Sequence, residues 1–264
     1  MTTQAVYPAL RYIDAPGAIA WLERAFGFRA EDVYAGEAGT IAHAQLRAGS
    51  DLLMLGSSQT GPPLGARSSP KALGGRGTMG MYLCTSDTEA IYALAQAAGA
   101  TIVRPLATVD YDDYTSFTAR DCEGYVWSFG GYAPVPNAGL APCMRYDDPV
   151  RTIAWLRDTC GFTEKLVVPH DDGRIAHSEL LLGSSVVMCS SSNDDDLAIV
   201  PPAAAGGTTG SVYVFVANPD ALYARMLASD TRVTRPIEDT DYGSREFSVL
   251  DPEGNGFGFG TYHP

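Results

Sequence analysis

The 264-residue chain is poor in the residues from which the commonest catalytic centres are built. Histidine occurs four times, at His43, His170, His177 and His263, and cysteine five times, at Cys84, Cys122, Cys143, Cys160 and Cys189. The cysteines are odd in number, scattered through apolar stretches and include no C-x-x-C pair, so they read as reduced thiols and not as a disulfide framework or a zinc site. No apolar run approaches the roughly 18 residues of a membrane helix, and Met1–Tyr7 lacks a basic-then-apolar export signal. A cytoplasmic protein with no membrane partner is the expectation. Basic residues number 18 against 31 acidic ones, a net charge of −13, which argues against nucleic acid as a partner and would favour a cationic ligand over an anionic one. No G-x-S-x-G, Walker or dinucleotide motif points to nucleophilic, phosphoryl or hydride chemistry.

What the chain does have is apolar residues, at 45% against 19% charged, enough to bury real cores. Its length exceeds the roughly 100–200 residues of one domain. Two domains are present as a repeat. Leu10-Arg11-Tyr12-Ile13-Asp14 lies over Met144-Arg145-Tyr146-Asp147-Asp148, Ile19-Ala20-Trp21-Leu22 over Ile153-Ala154-Trp155-Leu156, and Ile41-Ala42-His43 over Ile175-Ala176-His177, all at an offset of 134. So many identities at one offset mark an internal duplication. The boundaries expected are 1–132 for the first domain, a linker at 133–141 within the Pro- and Gly-rich stretch Gly131–Pro142, and 142–264 for the second.

Within each copy, periodicity switches twice between strand and helix in the order βαβββ. The first copy predicts strands near Tyr7–Ile13, Ala30–Tyr34, Thr40–Ala48 and Asp51–Gly56, with a helix over Ala15–Ala25 that stops at Gly27. A Gly/Pro/Ser-rich loop, Ser57–Gly77, precedes a second such unit, and Ser190–Gly210 is its counterpart. Both loops are long for simple connections, so they are expected to act as lids or mobile segments.

Three signatures occur twice: a strand running into Asp before a helix that ends in Gly-Phe, the Ile-Ala-His segment, and a late turn reading Asp121-Cys122-Glu123-Gly124 or Asp251-Pro252-Glu253-Gly254. With these the chain resembles the vicinal oxygen chelate superfamily of glyoxalases, bleomycin-resistance proteins and extradiol dioxygenases. The resemblance implies an α+β fold of two tandem domains, each of paired βαβββ modules forming a cup-shaped eight-stranded mixed sheet with helices outside and the ligand in the concave face. It also implies, for the metalloenzymes of the family, His, Gln or Glu ligands on the first and last strands of the modules. Family spacing places these positions at Tyr7 and Ala141, near Gly80 and Ser211, at Ser128 and Gly258, and within Leu52–Ser58 and Val186–Ser192. A catalytic divalent ion needs about three His or carboxylate ligands, and these positions supply none. Neither a metal nor another cofactor is expected.

Strand alternation selects the residues that share the ligand face. Arg11 and Arg145 are candidate ligand contacts or structural forks. Tyr82 and Tyr213 could stack on a ring or simply fill the cup. Ser128 and Gly258 face the same way on the last strands, where the glycines of the second copy should leave its cleft roomier. His43 and His177 occupy matched positions. His177 with Glu179 is the one His–carboxylate pair at strand spacing and the obvious candidate for acid–base work, although recurrence of the histidine in both copies favours a structural role. Tyr242 and Arg245, in a turn of the second copy, would point at a ligand or brace the turn.

The function expected is metal-independent binding or sequestration of a small organic molecule, a cationic or aromatic natural product, as the antibiotic-binding members of the family do. The alternative is a small-molecule enzyme, lyase, isomerase or dioxygenase-like, using His, Glu, Tyr and Arg side chains or a non-standard metal site. An interaction scaffold with filled clefts is a third possibility. The tandem arrangement allows a monomer or a homodimer.

Overall fold

The computed structural model describes residues 5–61, 65–109, 114–136 and 139–264. Module one comprises β1 (Val6–Tyr12), α1 (Ala15–Phe26), β2 (Arg29–Ala35), β3 (Ile41–Ala48) and β4 (Asp51–Ser57); a small hairpin, β5 (Gln59–Gly61) and β6 (Gly65–Arg67), follows. Module two is β7 (Gly80–Cys84), α2 (Thr88–Ala97), β8 (Thr101–Thr108), β9 (Thr115–Arg120) and β10 (Val126–Gly130). Module three is β11 (Leu140–Tyr146), α3 (Pro149–Trp155) with a π-helical turn over Leu156–Cys160, β12 (Thr163–Pro169), β13 (Ile175–Leu182) and β14 (Ser185–Ser191). A four-residue helix, α4 (Pro202–Ala205), leads to module four: β15 (Gly210–Phe215), α5 (Pro219–Ala228), β16 (Val233–Asp239), β17 (Arg245–Leu250) and β18 (Gly256–Gly260). Leu140 and Ala141 already belong to β11, so the connection between the halves ends earlier than the sequence suggests. Among the described residues no helix is long and apolar enough to cross a membrane.

The helix boundaries follow local chemistry. Asp14 caps α1 by accepting from the Gly17 N–H at 3.0 Å, Pro16 sits in the first turn, and Gly27 ends the helix at φ 70°. The second copy repeats this with Asp148 accepting from Arg151 N–H at 3.1 Å, Pro149 in the first turn and Gly161 at φ 87°. Carboxylate caps satisfy otherwise orphaned donors at the helix start, and glycine takes the left-handed stop without a Cβ penalty.

The two eight-stranded mixed sheets are present as expected, but each draws its modules from both halves of the sequence. One runs β16-β17-β18-β15-β1-β4-β3-β2 and joins modules one and four. The other runs β12-β13-β14-β11-β7-β10-β9-β8 and joins modules two and three. The junctions are antiparallel, with Ala9 opposite Ser211 in the first sheet and Cys143 opposite Gly80 in the second. The two modules of one half therefore do not share a sheet, although the tandem repeat suggests that they would.

Modules of one half meet instead through their helix-bearing faces. Phe26 of α1 packs on Trp127 and Phe129 of β10 with ring centroids 5.6 and 4.8 Å apart, and the Trp21 indole N–H donates to the Ala98 carbonyl at 3.1 Å. In the second half Trp155 packs on Phe257 at 5.2 Å and donates to Thr231 Oγ1 at 3.0 Å. Buried aromatic pairs of this kind add to the apolar burial that drives packing. The Asp-x-Glu-Gly turn clips the same modules together. Glu123 accepts the N–H groups of Ile13 and Asp14, both at 2.8 Å, and Glu253 accepts those of Asp147 and Asp148 at 2.8 and 2.6 Å. Fully buried Tyr12 donates to Asp121 at 2.6 Å. The repeated signature is thus a structural clasp at the strand-to-helix corner of the neighbouring module.

Candidate ligand-binding cup

Because side chains alternate across a strand, Val6, Leu10 and Tyr12 of β1 enter the helix-covered core while Tyr7 and Ala9 lie on the other face with Leu52, Met54 and Tyr213. The two concave faces differ in size. The cup of modules one and four encloses about 460 Å³, and that of modules two and three about 160 Å³. Two causes are visible. At matched positions of the last strand the large cup has Gly256 and Gly258 where the small one has Val126 and Ser128. In addition, Leu197 and Ile199 from the 190–210 loop line the small cup, with Ile199 so close that a Cβ at Gly80 would lie 2.7 Å from its Cδ1. That loop behaves as a plug. The 57–77 loop contributes Arg67 to the lining of the large cup.

The residues expected at the ligand face separate accordingly. Arg11, His43, Tyr213, Tyr242 and Gly258 line the large cup; Tyr82, Ser128, Arg145 and His177 line the small one. Arg245 lines neither. It forks onto Asp220 of α5 at 2.7 Å and onto Asp239 at 3.0 Å, because β17 alternation turns Glu246 and Ser248 into the cup and Arg245 away from it. The roomier cleft does include the glycine-rich β18, but module one completes it, so it is not a cleft of the second copy alone. Arg67, Arg235, Glu246 and Tyr262 also line it. Alternation on β16 and β17 could have located Arg235 and Glu246, whereas Arg67 lies in a loop with no periodic signal.

Several candidates prove to be braces that recur in both cups. Tyr213 Oη donates to the Tyr262 carbonyl at 3.1 Å and Tyr82 Oη to the Tyr132 carbonyl at 3.0 Å. On the neighbouring strand, Gln45 donates to the Tyr262 hydroxyl, and Tyr132 donates to Glu179 Oε1 at 2.6 Å. Glu179 is fully buried and also takes Lys165 Nζ at 2.8 Å and His177 Nε2 at 3.2 Å. Burial alone would raise its pKa, but the hydrogen bonds from Lys165, Tyr132 and His177 outweigh that and hold it below the usual value. The His177–Glu179 contact exists, yet Glu179 is spent on a cross-module clasp matched by Gln45 in the other cup.

The electrostatics of the large cup oppose those of the chain. Burial, and then the charge of Arg67, push the Arg11 pKa down to about 10, so it stays cationic at neutral pH without a compensating acid. Its Nη1 reaches only the Ser57 carbonyl, at 3.5 Å, and lies so flat on β4 that a Cβ at Gly56 would come within 2.5 Å of it. Among the described residues neither Arg11 nor Arg67 has a carboxylate within ion-pair distance. On the opposite wall Glu246 is committed to Arg235 at 2.6 Å and to the Tyr242 hydroxyl at 3.0 Å. Burial and the Arg11 charge lower the His43 pKa from 6.5, and its Nε2 is buried with no hydrogen-bond partner. The cup therefore carries an excess of positive charge inside a chain of net charge −13.

The duplication is also what sequence comparison finds. The family model of the glyoxalase/bleomycin resistance protein/dioxygenase superfamily matches residues 4–129 and again 140–259. The chain belongs to this superfamily. No curated protein matches it. Among solved structures, glyoxalase I from Zea mays superposes with a TM-score of 0.70 at 13% identity, over 97% of this chain and 92% of that one. A putative dioxygenase from Bacillus subtilis subsp. subtilis str. 168 gives 0.64 at 12% identity, over 100% and 86%. TioX from Micromonospora sp. ML1 is 29% identical over 48% of this chain and 97% of its own, with a TM-score of 0.40.

The positions that family spacing implies for a metal's ligands are Tyr7, Ser211, Gly258 and the β4 segment on one sheet, and Ala141, Gly80, Ser128 and the β14 segment on the other. These donors do not fit a divalent ion. Burial and the Asp51 charge push the Tyr7 phenol up to about 12, so it is no phenolate ligand at neutral pH. Among the described residues no three His, Cys, Asp or Glu side chains come together to share an ion.

Proposed function

We propose that the protein binds a small, flat organic molecule in the large cup and acts by holding it, with no metal in the binding site. The observation that carries this reading is the cavity itself. At about 460 Å³ it falls within the roughly 300–1,000 Å³ of small-molecule sites, and tyrosine rings at 34, 213, 242 and 262 surround a floor left bare by Gly256 and Gly258. The equivalent cup on the other sheet is filled by its own loop. Aromatic walls with a few committed polar groups suit ring stacking. The bleomycin-resistance proteins that share the family model agree with a sequestering role.

The test is titration of the purified protein with 2-naphthoate and neutral 2-naphthamide, followed by calorimetry and thermal unfolding. A probe at 100 times its Kd should add about 2.7 kcal/mol to the unfolding free energy. Binding should persist in excess EDTA and vanish in Gly258→Trp, whose indole would occupy the floor. Failure of both probes to bind, or loss of binding with EDTA, would overturn the reading.

A further inference from the structure

Each cup has an arginine at the same register position, and the two differ in one respect. Arg145 lies beside Ser190 of β14, as Arg11 lies beside Gly56 of β4. In the small cup both ends of the Arg145 guanidinium are taken by one carboxylate, Nη1 to Asp195 Oδ1 and Nη2 to Asp195 Oδ2, each at 2.7 Å. Asp195 comes from the 190–210 plug, and Leu197 and Ile199 of the same segment occupy the cup behind it.

The matching loop of the first half supplies no such group. No Asp or Glu occurs between Asp51 and Asp87, and the stretch carries Arg67, Lys71 and Arg76 instead. Among the described residues no other wall of the large cup offers one, since Glu246 already serves Arg235 and Tyr242. The planar guanidinium fork matches a carboxylate in two parallel hydrogen bonds, and a half-buried cation without a partner is costly unless something arrives to pair with it.

We infer that the ligand of the large cup carries a carboxylate, that Arg11 receives it as Arg145 receives Asp195, and that Arg67 adds a second positive charge at the rim. The plug of the small cup is then an internal imitation of the ligand: a carboxylate on the fork with apolar atoms filling the space behind. A ligand of this class has an anionic head and an apolar, ring-sized body, the opposite of the cation that the net charge suggests.

The inference rests on the large cup being the binding site, and the same probe pair separates the two claims. Wild-type protein should bind 2-naphthoate at least tenfold more tightly than 2-naphthamide. Arg11→Met should weaken naphthoate at least tenfold and leave naphthamide within threefold. Arg67→Gln, at the half-buried end of β6, should weaken naphthoate about threefold in the same selective way. Equal affinities for the two probes would overturn the carboxylate inference and leave the cup reading standing. A preference for naphthoate that survives both substitutions would overturn the role of the arginines. Tighter binding of 2-naphthyl phosphate than of naphthoate would overturn the choice of a planar carboxylate, and binding of no probe would remove both claims together.

Discussion

Replacing Asp195 with alanine leaves the Arg145 guanidinium, whose side chain is only 10% exposed, facing a gap where a carboxylate stood; the Asp195 side chain itself is 26% exposed. Removing one member of a fully buried ion pair costs about 3–5 kcal/mol, chiefly because the other charge is stranded. The residual solvent contact reduces this to about 2–3 kcal/mol. The substitution also removes the acceptor for the Leu197 N–H, bonded at 2.9 Å, so Asp195→Asn, which keeps a side-chain oxygen, should fall between wild type and alanine. In a chain of this size a loss of that order lowers the melting temperature by roughly 4–10 °C. The matched change in the large cup should behave differently. Arg11→Met removes a cation that has no acid partner, keeps the apolar stem, and should be neutral or stabilising by up to about 1 kcal/mol in the absence of ligand. Urea unfolding of the two variants against wild type measures both. A loss of under 0.5 kcal/mol (on the order of the usual surface effect) in Asp195→Ala, or a loss above about 2 kcal/mol in Arg11→Met, would refute the contrast between a filled and an unfilled arginine fork.

Three further outcomes follow from the geometry. Since His43 has a folded pKa below 6.5, the unfolded chain takes up its proton first, so its contribution to stability is full above pH 6.5 and declines as pH falls toward the folded value; urea midpoints across this range should slope less in His43→Gln. Glu123→Gln weakens two charge-assisted bonds to the Ile13 and Asp14 N–H groups and should cost about 1–3 kcal/mol, read by chemical unfolding, with the more exposed Glu253→Gln costing less. A fragment ending at residue 133 leaves β1 and β7 without their cross-half partners β15 and β11; it should self-associate to rebuild the cups, and a stable monomer by light scattering would contradict the assigned sheet pairing.

Much of the frame was legible because it is written in local chemistry. Asp14, Gly27 and their counterparts mark the helix ends, and β1, α1, β3 and β4 fall where periodicity places them to within a residue at each end. The cup-facing sets on the first and last strands also follow from alternation. What local pattern cannot convey is which module lies beside which. One edge of β1 and one edge of β7 find no partner within their own half, and the choice between pairing with each other and pairing with β15 and β11 is made by tertiary packing, here through Phe26 against Trp127 and Phe129. For the same reason sequence leaves Arg245 open between a ligand contact and a brace: the partner that decides its direction is Asp220 on a separate helix. Asp195 is the middle of three consecutive aspartates, and only the return of its loop over Arg145 shows what it does. Net charge averages over a surface, whereas ligand preference is set by the few groups inside the cup.

The central claim is that a carboxylate ligand occupies the cup shared by modules one and four. A crystal structure of the protein soaked with 2-naphthoate and EDTA tests it most directly. The account predicts ring density over Gly256 and Gly258 between β1, β15 and β18, with both carboxylate oxygens on Arg11. Density in the Arg145 cup, or a carboxylate turned away from Arg11 toward the Tyr242 wall, would contradict it.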